Sequence, residues 1–431
     1  MAATTGYQTR AFGDAAERLG VDLVYATDRC NVLDDPWQDR AVPVRFSDET
    51  RSLATILEAT RTRPVDGVLA VGDRPTVLAA HVSAALGLPW HSVDAAAVSR
   101  SKQLTRERLR EAGLPVPWFV SVPVSIDART IVPAVTFPCV VKPIALSGSR
   151  GVMRANDEGE LVAAFYRLRA ILQSPDVRGE RNADHGTALV EGFIEGREFA
   201  VEGLMNQGSL HVLAIFDKPD PLNGPFFEET IYVTPSLAPG GMQTAIVDVV
   251  TRAADAIGLT HGPVHAECRA NESGVYVLEV AARPIGGLCA RALRFSGRES
   301  LAVSSMLDAS TAPTISLEEL LLRHAIGESP SDWTRETAAS GAMMIAIPRR
   351  GVLRDVSGID EARAVVGVFD LRITAKTDQV LVPLPEGASY LGFIFARGDT
   401  SSEVEQALRK AHACLEFAID PEVPMLQSRN G

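Results

Sequence analysis

The sequence predicts an α/β protein in which a doubly wound βα unit leads into an α+β centre and a strand-rich C-terminal unit. Three observations predict this. Helical and strand-like segments alternate through residues 7–98, the rhythm of helices laid over a small parallel sheet. Between residues 118 and 280 apolar strand-like runs dominate. From Gly341 a further run of strands begins and is closed by one helix. A chain of 431 residues exceeds one ordinary core, so two to four domains are expected. Boundaries are expected at 1–98, 99–186, 187–340 and 341–431.

The elements follow in order. Thr9 to Leu19 has helical spacing and stops at Gly20, and Val21 to Tyr25 reads as a strand. Ser52 to Thr60 reads as a helix, Gly67 to Val71 as a buried parallel strand, and Pro75 to Leu86 as a helix closed by Gly87. Such a unit ordinarily opens with an apolar strand, whereas here the first helix comes almost at once. Ala96 to Gly113 reads as one charged helix stopped by Gly113 and Pro115. Trp118 to Val122 and Phe137 to Pro143 read as strands, and polar Ser174 to Gly186 as a mobile loop. Ala188 to Leu204, His211 to Phe216 and Val264 to Val280 are mostly strand, with a helix within Pro239 to Ile257. Ala342 to Ile347, Val380 to Leu384 and Tyr390 to Ala396 are strands, and Ser402 to Glu416 is a helix.

Composition excludes several classes. A net charge of −12 argues against a general nucleic-acid or membrane-surface binder, while leaving room for a local basic pocket. No apolar run is long enough to span a bilayer, and Met1 to Tyr7 has no secretory-signal pattern. The five cysteines, Cys30, Cys139, Cys268, Cys289 and Cys414, form no CxxC, and Cys139 and Cys268 sit in apolar runs. Buried thiols in a reducing compartment follow, and the cytoplasm is the expected location.

The segment Val275-Tyr-Val-Leu-Glu-Val-Ala-Ala-Arg-Pro-Ile-Gly-Gly287 carries the most information. Its strand delivers Glu279, then Arg283 and a Gly-Gly turn. Just upstream, His265-Ala-Glu267 lies on a second short strand. Two adjacent strands that each present a Glu suit a hard divalent cation. An arginine beside it suits a developing phosphate or tetrahedral anion. A structural ion pair between Glu279 and Arg283 explains the same residues, and the segment alone leaves both readings open.

Other constellations are weaker singly. Val140-Val-Lys-Pro-Ile-Ala-Leu-Ser-Gly-Ser-Arg-Gly-Val152 ends a strand in Lys142 and continues into Ser147, Gly148, Ser149, Arg150 and Gly151. Glycines there let backbone N–H groups approach an anion, and the lysine supplies point charge; a plain hairpin loop is the alternative. The hairpin around Glu195-Gly196 offers Glu191, Phe193 and Ile194 as a hinge for an adenine edge and Glu198 for ribose hydroxyls. Taken alone, solvated glutamates on an acidic hairpin explain it better. Lys102 on the charged helix reads, alone, as a solvated surface lysine. Asp217-Lys-Pro-Asp220 and the loop holding Phe227, Glu228, Glu229 and Tyr232 suit either a substrate pocket or loop packing.

Order decides among these readings. A lysine-bearing helix ending in Gly-x-Pro-x-Pro, a V-V-K-P strand with a Ser/Gly loop, V-E-G-F-I-E-G-R-E, P-x-H-x-E and L-E-V-x-x-R-P follow one another between Ser99 and Arg294. This resembles the ATP-grasp superfamily of carboxylate–amine ligases, and the flanking units look like those of its bacterial L-amino-acid ligases. The resemblance implies an ATP-grasp fold with a lid-like C-terminal unit, and roles for individual residues. Lys102, Lys142 and the loop Ser147, Gly148, Ser149, Arg150 and Gly151 would contact nucleotide phosphates. Glu191, Phe193 and Ile194 would line the adenine site, with Glu198 on the ribose. Glu267 and Glu279 would ligate Mg²⁺ (one or two ions, Mn²⁺ also being acceptable), and Arg283 would stabilise the charged transition states. Glu229, Tyr232, Gly286 and Gly287 would meet substrate. Many relatives carry an asparagine ligand where this chain has Ala281, which puts a second ion in doubt.

The implied chemistry is ADP-forming. A carboxylate, expected to be an amino acid's, is activated as an acyl phosphate and joined to an amine, expected to be another amino acid. The alternatives are another ATP-grasp activity, such as a carboxylase-like or purine-pathway step, or a nucleotide-binding scaffold that has lost catalysis at Ala281. The expected partners are small-molecule acids and amines, neither nucleic acid nor membrane, with a homodimer allowed.

Overall fold

A computed structural model describes residues 1–2, 8–28, 41–297 and 314–422. Cys30 lies outside the described residues.

The N-terminal unit has the expected helices, Thr9–Leu19, Glu49–Thr62 and Thr76–Leu86. Gly20 and Gly87 end the first and third in the left-handed conformation that glycine adopts without strain. The sheet is smaller than the sequence suggests. Ala26–Thr27 pairs in parallel with Val42–Pro43, and the expected strand Gly67 to Val71 contributes a single bridge, between Val71 and Ala2. Ala2 N–H also donates to Ala26 O, at 3.2 Å. Met1 and Ala2 thus lie between Ala26 and Val71.

The expected single helix Ala96 to Gly113 is two helices, Val93–Arg100 and Lys102–Glu111. Ser101 breaks it: its backbone is extended and its hydroxyl accepts the N–H of Leu104, the behaviour of an N-cap serine. Lys102 therefore opens a helix instead of lying along one. The expected mobile loop Ser174 to Gly186 is also ordered, as a helix over Pro175–Gly179 and a 3₁₀ turn over Ala183–Gly186. Pro175 suits the first helical turn, and Asn182 caps the 3₁₀ turn through Asp184 N–H.

Next comes a four-stranded antiparallel sheet in the order Phe119–Pro123, Thr187–Gly192, Cys139–Pro143, Met153–Ala155. Helix Glu158–Leu172 covers one face through Leu161, Phe165, Leu168 and Leu172. Beyond it an eight-stranded sheet runs Gly274–Ala281, Gly262–Asn271, Arg197–Asn206, Ser209–Asp217, Ile231–Thr234, Ala339–Ile345, Gly392–Gly398, Val368–Ile373. Helix Gly240–Ile257 packs on its first half, and Ser401–Ala413 on its second. The residue-341 boundary falls inside Ala339–Ile345, which pairs with Ile231–Thr234, so Ala339–Ile345, Gly392–Gly398 and Val368–Ile373 continue the central sheet, while Val380–Leu381, Gly351–Ser357 and Glu416–Asp420 form a separate sheet. A hydrophobic strand buried on both faces is more stable paired than at a free edge.

Where the N-terminal unit meets this sheet, His91 is buried. Its Nδ1 accepts the N–H of Thr260 at 3.2 Å, and Nε2 lies 3.3 Å from Pro263 O. Burial pushes its pKa down from 6.5 to about 4. The folded state then binds fewer protons than the unfolded state between those values. Above about pH 6.5 its titration has no effect on stability. As pH falls towards 4 the unfolded chain is favoured, by about 2 kcal/mol at pH 5. Denaturant unfolding at pH 7.5 and 5.0 should show this loss, and His91→Gln should reduce it by that amount.

Candidate active site

A cavity of about 440 Å³ opens where the N-terminal unit and both sheets meet. Gly262–Asn271 and Gly274–Ala281 form one wall. They pair antiparallel with Glu267 directly opposite Glu279, so both side chains stand on one face, as the spacing implied. Cys268 begins a register shift that separates them from the regular ladder beyond.

Lys218 dominates the chemistry around Glu267. Its buried ammonium donates to Glu198 at 2.9 Å, Glu229 at 2.9 Å and Glu267 at 2.8 Å, and lies 4.8 Å from the centre of the Tyr232 ring. One oxygen from each glutamate lies within 4.8 Å of the others, a spacing fit for a metal ion, yet an ammonium holds them. Burial works against ionisation of Glu267, but Lys218 outweighs it and holds the carboxyl well below its usual range. Burial instead dominates at Glu229, which is pushed up to about 7. The contacts to Lys218, His265 and Tyr232 all fall on Oε1 of Glu267.

Two lysines face this wall. Lys102 Nζ lies 3.3 Å from Glu279 and donates to Leu146 O at 2.7 Å. Lys142 ends its strand as expected and is almost wholly buried. Burial lowers its pKa to about 8, with Glu191 pulling the other way. Glu191 departs from expectation. Its carboxylate is buried against Arg106, at 2.8 and 3.2 Å, and against Lys142. Burial alone would raise its pKa, but these cations bring it down to about 2. The residue lines the cavity, with its carboxylate engaged by these cations.

Phe193 and Ile194 line the cavity as expected. Phe193 stacks on Phe227 at 6.3 Å, with the Arg154 and Arg269 guanidinium groups over its ring. Glu198 also lines the cavity, but Lys218 holds one of its oxygens and Arg269 the other, at 2.9 Å each. It is first a structural anion, so a ribose hydroxyl would share oxygens already engaged. Ser147, Gly148 and Ser149 line the cavity, and Gly148 and Ser149 turn through positive φ of 62° and 55°. Arg150 and Gly151 do not face it. Arg150 points away, to Glu386 O at 2.8 Å and Asp176 at 2.6 Å, and Gly151 N–H donates to Pro385 O.

Arg283, Gly286 and Gly287 form the far end, with Glu229, Tyr232, Met344 and Tyr390 close by. Arg283 Nε donates to Asp73 at 2.9 Å. Burial would raise the Asp73 carboxyl, but Arg283 outweighs it and holds it below its ordinary value. Glu202 accepts the N–H of Ile285, and Gln8 donates to Ile285 O at 2.8 Å, so the turn after Arg283 is fixed from two sides. No ion pair joins Arg283 to Glu279 among the described residues; Arg283 pairs with Asp73 and Glu279 with Lys102. Ala281 is buried and offers no ligand.

A family model described as an ATP-grasp domain matches residues 135–292. An ATP-grasp N-terminal domain matches residues 13–90, and an L-amino acid ligase C-terminal domain 2 matches 343–420. The chain belongs to the ATP-grasp superfamily. Its expected ATP-grasp fold is likewise shown by the crystal structure of an L-amino acid ligase from Bacillus licheniformis. That structure superposes with a TM-score of 0.80 at 27% identity, over 97% of this chain and 98% of the other. Among curated relatives, alanine–anticapsin ligase of Bacillus subtilis is 27% identical over 216 residues, 47% of this chain and 44% of its own. Carnosine synthase 1 of Homo sapiens is 26% identical over 332 residues, 72% of this chain and 39% of its own. An uncharacterized Sinorhizobium fredii protein, y4rH, is 26% identical over 74% of this chain and 61% of its own. The chain thus spans less than two thirds of the length of these curated relatives. No described helix is long and apolar enough to cross a membrane.

Three residues of this ATP-grasp site escaped the sequence reading. Lys218 sat in a noted motif, but nothing local showed that three glutamates would converge on it. Asp73 had a legible signal, since it follows an apolar segment in a βα unit, where ligands gather. Arg106 had none: it is one of several charges on its helix.

Proposed function

We propose that the protein is an ATP-dependent ligase that activates a carboxylate, most simply that of an amino acid, and joins it to an amine. The observation that carries this reading is the register pair Glu267 and Glu279, facing Lys102, Lys142 and Arg283 across one cavity.

The residues fit a magnesium nucleotide. Glu267 and Glu279 supply hard oxygen donors. A bound Mg²⁺ would neutralise phosphate charge during transfer. Lys102 and Lys142 supply positive charge to the phosphates, under the turn of Ser147 to Ser149. Phe193 and Ile194 give the base an apolar slot. The division of labour we infer puts the nucleotide between 99–186 and 187–340, with 1–98 and 341–431 closing the substrate end.

In the first step a carboxylate oxygen bonds to the γ-phosphorus as the bond to ADP breaks. In the second an amine nitrogen bonds to the acyl carbon, phosphate leaves, and the amine loses a proton. Arg283, held by Asp73, faces the place where the tetrahedral oxyanion forms. Gly286 and Gly287 allow close approach of the substrate carboxyl. Glu229 and Tyr232 provide acceptor groups beside it for an ammonium.

Phosphate release should be screened over pairs of amino acids with ATP and Mg²⁺, with mass detection of products. ADP and phosphate are expected in equal amounts with an amide product, and only with both substrates present. Formation of AMP and pyrophosphate would overturn the reading.

A further inference from the structure

The turned-away Arg150 belongs to a larger set of contacts. The turn from Val382 to Ser389, in the C-terminal unit, meets the helix and loop beside the four-stranded sheet at three points. Arg167, on helix Glu158–Leu172, grips the Glu386 carboxylate with two nitrogens, at 2.5 and 2.9 Å. Arg150 Nε donates to the backbone oxygen of Glu386 at 2.8 Å. Gly151 N–H donates to Pro385 O at 2.9 Å. The turn is itself tight: Gly387 N–H donates to Pro383 O, and a side chain at Gly387 would meet Val382 O at 1.8 Å. The next residues, Ala388 and Tyr390, line the cavity. One short segment therefore holds the loop 147–151 from behind and walls the substrate end in front.

We propose that this turn is a catch, in which Glu386 and Arg167 fasten the loop 147–151 closed over the nucleotide. The meaning of closure rests on the ligase reading above; the mechanical link does not. The Glu386 and Arg167 side chains are respectively 36% and 42% exposed. A bidentate pair at that exposure has defined geometry but is weak and screened by salt, which suits a bond that must open for each nucleotide to enter. Closure excludes water, which would otherwise hydrolyse an acyl phosphate.

The test is amide hydrogen exchange over residues 147–155 of the full chain, in the wild type, Arg167→Glu, Glu386→Arg and the double charge swap. Each single reversal is expected to speed exchange there at least threefold and leave residues 262–281 unchanged. The double swap should return it to within twofold of wild type. Glu386→Gln, a milder change, should give a smaller increase and guards against misfolding of the reversals. Unchanged exchange in the single variants, a rise spread over the whole chain, or a swap that fails to restore protection would overturn the catch. Exchange needs no turnover, so a wild type that releases no ADP would sink the ligase reading and leave this result legible. In an active enzyme the single reversals should also raise ADP formed per amide product, and the swap should lower it again.

Discussion

Replacing Lys218 by Met should destabilise the protein by about 3–5 kcal/mol, the cost of leaving buried charges without their partner. Met keeps the length of the side chain and its contact with Tyr232, so the loss is one of charge. Glu198, Glu229 and Glu267 would then face one another across 4.8 Å or less. They would take up protons, and the sign of the pH dependence follows. Their folded pKa values would rise above the unfolded ones, so the folded variant binds more protons and gains stability as pH falls. The deficit measured by denaturant unfolding should therefore be largest near pH 8 and shrink towards pH 5. Added Ca²⁺ or Mg²⁺ should also restore part of it, because three carboxylates at this spacing form a cation site once the ammonium is gone. A deficit unaffected by either pH or cation would show that Lys218 acts through packing.

Arg283→Met should lower kcat by about 10²–10³-fold, the usual effect of removing one donor aimed at a developing oxyanion. The nucleotide KM should change little, since Lys102 and Lys142 remain. Asp73→Asn tests the anchor of that arginine. It keeps a hydrogen-bond acceptor for Arg283 Nε but loses the charge, so a smaller fall in kcat is expected, with melting behaviour close to wild type. Steady-state kinetics on the best substrate pair checks both variants. Equal losses for Arg283→Met and Asp73→Asn would show that Arg283 acts only when the Asp73 charge holds it.

The legible part of this site is the part set by local pattern. Alternation placed Glu267 and Glu279 on strands, and a one-residue error in either would have turned its carboxylate to the opposite face. Lys142 was legible because an apolar strand ended on it. The loop 147–151 was legible only in half: its glycines and serines fixed the turn, but nothing local told which way Arg150 would point. The partners of Arg150, Glu191 and Arg283 lie far away in the chain, at Glu386, Arg106 and Asp73. Long-range ion pairing leaves no periodic trace. The helix break at Ser101 was open to reading, since a serine before a charged segment is an N-cap signal, but the helical spacing on both sides masked it.

The pairing of Ala339–Ile345 with Ile231–Thr234 bears on how this protein could be shortened or recombined. A chain ended before Ala339 would keep every candidate metal, phosphate and arginine residue, yet would expose a buried strand, Ile231 to Thr234, along its whole edge. Such an edge recruits other chains. Strand Ala339–Ile345 is thus part of the scaffold on which Glu229 and Tyr232 stand, and a graft that exchanges the C-terminal unit for a foreign lid must bring a matching strand with it.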